Sequence, residues 1–241
     1  MTDHNAWLGH WPFRDLGDRG NATFLLKAMD RLGIERTWVS PLDAILQRSP
    51  RAANAALAAM VEHDADRLTC VPLFHPGLAD GGEVIRELGG RSSGTSVVRL
   101  LPPLHAINER YTERNLEALV ASGVTILLTR RLVDPRARHP MLPIPELTNE
   151  DVLWWLRRLA GATVILAGCV IGEVEALKDD ILGSNTLVES SFLDAEESLD
   201  VARKMLGSHR VVPGSNAPMN FQEALSVKWH PRPLPPYDIS L

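Results

Sequence analysis

Short apolar runs alternate along this chain with longer stretches in which apolar residues recur every three or four positions. The runs over 34–39, 68–74, 96–101, 124–129, 163–167, 185–190 and 211–213 have the length and content of buried strands. A more polar first strand covers 2–7. Between them the period changes to that of helices. Asn21 caps a helix whose Phe24, Leu25, Ala28 and Leu32 share a face, and Gly33 stops it. Ser49-Pro50 opens an alanine-rich helix running to about residue 63. Thr148 and Asp151 form a capping-box pattern ahead of Val152, Leu153, Leu156 and Leu159. Further helices are predicted over 81–88, 112–122, 172–179, 195–206 and 220–227. Eight strands, each followed by a helix, imply a parallel sheet. Eight such units in 241 residues match one (β/α)8 TIM barrel, a single α/β domain over 1–241 with an extended Pro-rich tail at 230–241. The competing architecture is an open doubly wound sheet. Against it, no Gly-x-Gly-x-x-Gly follows the first strand, and there is no P-loop pattern.

Composition narrows the partners. A net charge of −5 with small, mixed basic clusters points away from nucleic acid and anionic membranes. No apolar run approaches the ~18 residues of a membrane span, and the start lacks a signal-peptide pattern. Two isolated cysteines, Cys70 and Cys169, suit a reducing compartment rather than a disulfide framework. The expectation is a cytoplasmic protein with a small-molecule substrate and a possible homodimer.

Barrel chemistry lies at the carboxyl ends of the strands. There the chain places Asn5, Trp7 and His10, Ser40, His75, Arg99 and His105, Thr129 and Arg130, Cys169, Glu189 and Ser191, and Ser215 and Asn216. Arg99 interrupts an apolar strand, so it needs either an acid such as Glu189 or a bound anion. His105 and His139 are loop histidines that could move protons. Asn5 and Asn216 either orient a substrate or tie the barrel mouth together. Trp7 either floors a pocket or plugs it. Arg14 anchors an anion or braces the first loop. Cys169 reads as a small buried side chain rather than a nucleophile. Strand alternation puts His4 on the face opposite Asn5.

Two stretches carry a family resemblance. Asp3-His4-Asn5-Ala6-Trp7-Leu8-Gly9 has the spacing of Asp-x-His-x-His-x-Gly, and Arg210-Val211-Val212-Pro213-Gly214-Ser215-Asn216-Ala217-Pro218 that of Arg-hydrophobic-hydrophobic-x-Gly-Ser-Asp-x-Pro. With the Arg99-Leu-Leu-Pro-Pro exit of the fourth strand, the chain resembles the amidohydrolase-related family of metal-dependent TIM-barrel hydrolases, decarboxylases and lactonases. The resemblance implies a hydrolase or lactonase-type activity on a small carboxylated or cyclic compound. The family's metal ligands fall on Asn5, Trp7, near Gly168 and on Asn216, none of which suits a transition metal, so the expected cofactor is none. The expected substrate contacts are Asn5, Trp7, His10, Arg14, Arg99, Arg130, Glu189 and Asn216, with His105 and His139 as the catalytic pair. Two alternatives remain: a non-catalytic small-molecule-binding barrel, and a hydrolase or decarboxylase holding a divalent metal such as zinc through rebuilt ligands, among them His10, His75, His105 and Glu189.

Overall fold

Within each sheet of this chain every strand pairs in parallel with the next, as alternating apolar strands and amphipathic helices require. The structure, a computed structural model, describes residues 1–89, 97–104, 111–141, 144–195 and 197–229. The elements run β1 (Thr2–Leu8), α1 (Ala22–Leu32), β2 (Arg36–Pro41), α2 (Arg51–Met60), β3 (Leu68–Cys70), α3 (Gly81–Gly89), β4 (Val97–Leu100) and α4 (Thr112–Ala121). They continue with β5 (Thr125–Thr129), α5 (Asn149–Arg158), β6 (Val164–Ala167), α6 (Ile171–Ala176), α7 (Lys178–Leu182), β7 (Thr186–Glu189), α8 (Ser198–Leu206), β8 (Val211–Val212) and α9 (Gln222–Trp229). The ladders form two sheets, β1-β2-β3 and β4-β5-β6-β7-β8. Two single parallel bridges, Leu73 to Arg99 and Ala6 to Ala217, join them edge to edge and complete the ring of a TIM barrel.

The ring narrows to single bridges for local reasons. Pro72 has no N–H to extend the β3 ladder. Beyond it, the Asn54 amide of α2 takes the place of a strand, accepting from Leu73 N–H at 2.9 Å and donating to Leu73 O at 2.9 Å. At the other seam, buried Asp3 accepts from Ser215 N–H at 2.9 Å and from Ser215 Oγ at 2.6 Å, pinning β8 to β1. Asn216 N–H donates to Asn5 O at 2.6 Å. Asn216 has φ 54°, a left-handed conformation that Asn tolerates better than most residues.

The strands sort their side chains by alternation. In β5, Ile126 and Leu128 face the helix layer, whereas Leu127 points inward. Helix caps form where the sequence places them: Asn21 Oδ1 accepts from Phe24 N–H at 2.7 Å, and Thr148 and Asp151 make a reciprocal capping box. Among the expectations that shift, the strand over 68–74 ends at Cys70 and the helix over 220–227 lies at Gln222–Trp229. The helix over 172–179 is two short helices, divided at buried Leu177. The helix over 195–206 begins only at Ser198, because Glu197 is left-handed at φ 60°. Strand two starts at Arg36 rather than at Ile34, whose N–H is spent on Met29 O at the end of α1. The tail at 230–241 lies outside the described residues. Among the described residues no helix is long and apolar enough to cross a membrane.

Candidate functional site

The barrel interior is layered, apolar below, polar in the middle and apolar again above. Val71, Val97, Leu127, Ile165 and Ala167 form the floor, with Trp38 packed against them. Above it sits Arg99, wholly buried. Its Nε donates to Ser40 Oγ at 2.8 Å, and its Nη1 donates to Asn5 Oδ1 at 2.9 Å and Thr129 Oγ1 at 3.3 Å. Asn5 then donates from Nδ2 to Glu189 Oε2 at 2.9 Å, so an amide links the cation to the carboxylate. Ser191 Oγ donates to the same carboxylate oxygen at 2.8 Å. Burial pushes the Glu189 carboxyl up to about 7 and the Asp3 carboxyl up to about 6. Burial also lowers the Arg99 guanidinium to about 9, against the pull of Glu189 and Asp3. Its Nη2 is buried without a hydrogen-bond partner. Gly214 is required beside this cluster, since a Cβ there would overlap the Glu189 side chain.

The Trp7 ring closes the cluster from above, with the Arg99 guanidinium carbon 3.8 Å from its centroid. The Trp7 indole N–H donates to Asn216 Oδ1 at 2.9 Å, and Asn216 Nδ2 donates to Leu132 O at 2.9 Å. Over Trp7 lies an apolar roof of Trp11, Leu42, Leu101, Leu132, Ile144 and Met219. The structure thus gathers five of the nominated residues, Asn5, Trp7, Arg99, Glu189 and Asn216, and shields all five from solvent.

The others lie elsewhere. His10 is exposed in the first loop, its backbone N–H donating to Asp43 Oδ2 at 3.3 Å. Arg14 latches that loop to the last one, donating to Pro218 O at 3.0 Å and Met219 O at 2.8 Å. Arg130 continues the outward face of β5 and pairs with Glu173 at 3.0 Å. His105 lies outside the described residues. Cys169 is fully buried, and burial raises its thiol to about 12, so it carries no nucleophile at neutral pH. His4 does not face away from Asn5. A register shift between Asp3 and Ala6 inserts an extra residue into β1, and His4 packs edge-on against interior Trp38 at 4.7 Å.

A second place at this end of the barrel is open. Loops one and five border a small, solvent-open cleft lined by Trp11, Phe13, Arg131, Leu132, Val133, Ala137, Arg138, His139, Ile144, Pro145 and Glu146. The Phe13 ring stands between Trp11 at 5.5 Å and His139 at 5.4 Å. Exposed His139 accepts from Met141 N–H through Nδ1 at 3.2 Å, which places the proton of the neutral ring on Nε2. One wall is a chain of ion pairs. Arg131 donates through Nε to Glu146 at 2.7 Å, through Nη2 to Glu173 at 2.7 Å and through Nη1 to Gly168 O at 2.8 Å. Gly168, at φ 84°, lets Arg131 come this close, since a Cβ would lie 2.5 Å from Arg131 O. Arg138 joins the chain through Glu146. Leu132 is the partition between the two places: its side chain lines the cleft and its carbonyl receives Asn216 from inside.

Glu146 and the aromatic pair Trp11 and Phe13 were not among the expected site residues. A Trp-Pro-Phe after the first strand was a usable signal. The Arg138–Glu146 pairing, made across an irregular loop, left no pattern to read.

No family model and no curated protein matches the chain, but solved structures do. A dihydroxybenzoic acid decarboxylase from Polaromonas sp. JS666, with bound manganese and the inhibitor 2-nitroresorcinol, superposes at TM-score 0.67 and 16% identity, covering 93% of this chain and 88% of that one. The 5-carboxyvanillate decarboxylase from Sphingomonas paucimobilis gives 0.66 at 14% identity, covering 97% and 93%. Its namesake from Novosphingobium aromaticivorans, complexed with manganese and 4-hydroxy-3-methoxy-5-nitrobenzoic acid, gives 0.60 at 16%, covering 88% and 73%. The likeness establishes the fold.

These neighbours overturn the expectation of no cofactor, because the same fold holds manganese in two of them. The inward side chains at this chain's strand ends, however, do not fit a manganese ion. They offer one carboxylate, two amides and hydroxyls, and a guanidinium cation shares their space. Among the described residues no three His, Cys, Asp or Glu converge as such an ion needs.

Proposed function

We propose that this barrel is an enzyme of amidohydrolase-type chemistry that hydrolyses a small carboxylated cyclic compound, a lactone or related ester, in the cleft between loops one and five. One observation carries the reading: aromatic rings, guanidinium groups and a solvent-facing histidine converge on one concavity at the carboxyl end of the barrel. Trp11 and Phe13 supply an apolar wall for a ring. His139, with its free nitrogen protonated, is a donor for the ring oxygen. Water adds to the carbonyl carbon, the acyl C–O bond breaks, and the departing oxygen leaves with a proton from His139, which the attacking water returns. The sealed cluster of Asn5, Trp7, Arg99, Glu189 and Asn216 positions Leu132, and through it the cleft wall, without touching substrate.

The neighbours favour a second reading, decarboxylation of an aromatic acid in the same cleft, since all three are decarboxylases. Incubation of the purified chain with carboxylated lactones and with hydroxybenzoates, with and without added manganese, tests both. Ring opening without carbon dioxide release is the expected result. Carbon dioxide release replaces hydrolysis by decarboxylation. Saturable binding with no turnover of either class leaves a non-catalytic binding barrel.

A further inference from the structure

Loop five carries more positive charge than it neutralises. Arg130, Arg131 and Arg138 share two carboxylates, Glu146 and Glu173. The remaining loop pair, Asp134 with Arg136, stands at 2.7 Å, with Asp134 also in the field of Arg131 and Arg136 in that of Asp194. By direct ion pairs, the loop's four arginines therefore meet three carboxylates. The excess has little outlet at Arg130 and Arg131, whose side chains are only 6% exposed. Arg131 also has Nε, Nη1 and Nη2 committed to Glu146, Glu173 and Gly168 O. Arg138 differs: it is 30% exposed, it lines the cleft, and its hydrogen bond to Glu146 uses Nη2 alone. Its Nε and Nη1 make no hydrogen bond among the described residues, so each keeps an N–H for an anion in the cleft.

We propose that Arg138 is the anion anchor of the cleft, held there by Glu146, and that the ligand is accordingly a flat-ring monocarboxylate whose ring lies along Phe13. This rests on the cleft being the substrate site. An excess of one arginine over directly paired carboxylates matches one carboxylate better than a phosphate dianion. Glu146 is the positioning residue, because it ties exposed Arg138 to immobile Arg131.

Titration of the full chain with benzoate, and with benzamide as its neutral counterpart, tests the assignment. Benzoate binding is expected to weaken at least about tenfold in Arg138→Ala, while benzamide binding stays within about twofold. Arg138→Lys is expected to recover part of the loss, and Glu146→Gln to weaken benzoate alone. Circular dichroism and the retained benzamide affinity show that the variants are folded. Equal benzoate affinity in wild type and Arg138→Ala overturns the inference, as does an equal loss for both probes. Failure of the functional reading looks different: benzoate binding depends on Arg138, yet no carboxylated ring compound is turned over. If turnover exists and Arg138→Ala leaves KM unchanged, the anchor fails and the enzyme reading survives. No binding of either probe to the wild type removes both.

Discussion

The carboxyl end of this barrel holds two polar regions, and they are built on opposite principles. In the interior, one cation, one carboxylate and two asparagines are locked together beneath Trp7, with Arg99 and Glu189 wholly shielded from water. In the cleft, charges are more numerous, and Arg138 and Glu146 reach solvent. A buried ion costs several kcal/mol to desolvate and must be satisfied from all sides. The interior cluster nearly achieves this, leaving only Arg99 Nη2 unpaired. A site that recognises ligands needs the reverse, groups whose bonding capacity is unfilled until a ligand arrives. Polarity at the end of a barrel strand therefore does not by itself mark a binding site; spare valence with access does.

The division can be broken most directly at Arg99. Arg99→Ala is expected to cost about 3–5 kcal/mol in urea unfolding, since Asn5 Oδ1 loses its charged donor and a cavity opens beneath Trp7. A variant of wild-type stability that has lost ligand binding would make the interior a site after all. Glu189→Gln sharpens the electrostatics. The raised carboxyl binds its proton more tightly folded than unfolded, so its contribution is full below its ordinary value of 4.5 and is lost as pH rises through about 7. Wild-type stability minus that of Glu189→Gln is expected to fall by about 2–3 kcal/mol across that window. Asp3, which acts in the same direction and whose charge adds to the rise at Glu189, and His4, whose burial-lowered pKa acts in the opposite one, are present in both proteins. A flat difference curve would mean that the carboxyl is hydrated. Trp7→Phe keeps a ring over Arg99 but strands Asn216 Oδ1, for an expected loss of about 1–2 kcal/mol by thermal or chemical unfolding. The smallest stability effect belongs to the cleft. His139→Ala is expected to stay within about 0.5 kcal/mol of wild type while lowering turnover of an accepted substrate by about a hundredfold. A large stability loss would show that the cleft, too, is structural.

Much of the fold was legible before any coordinates. Runs of strand length at 97–100, 125–129 and 164–167 stand out because both of their faces are buried, which favours apolar side chains at most positions. The caps at Asn21 and Thr148 were legible because a cap acts within four residues of its partner. The candidate site was half legible. Arg99 stood out as a charge in an apolar strand and Glu189 as its possible acidic partner, and the structure links the two through Asn5. The facing of His4 was not legible, because the extra residue in β1 appears only when that strand is registered against β2.

Sequence alone determined the order of the elements, the barrel they close into, and which strands carry polar residues at their carboxyl ends. These follow from local periodicity and short-range capping, interactions between residues a few positions apart. Only the tertiary structure decided that Asn5 joins a cation to a carboxylate 184 positions away, and that Trp7 is a roof rather than an accessible floor. It alone decided that Arg138, not Arg130, turns its charge toward a cleft. Burial and charge balance are sums over neighbours brought from every part of the chain. A residue's chemistry at such a position is set by the company the fold gives it.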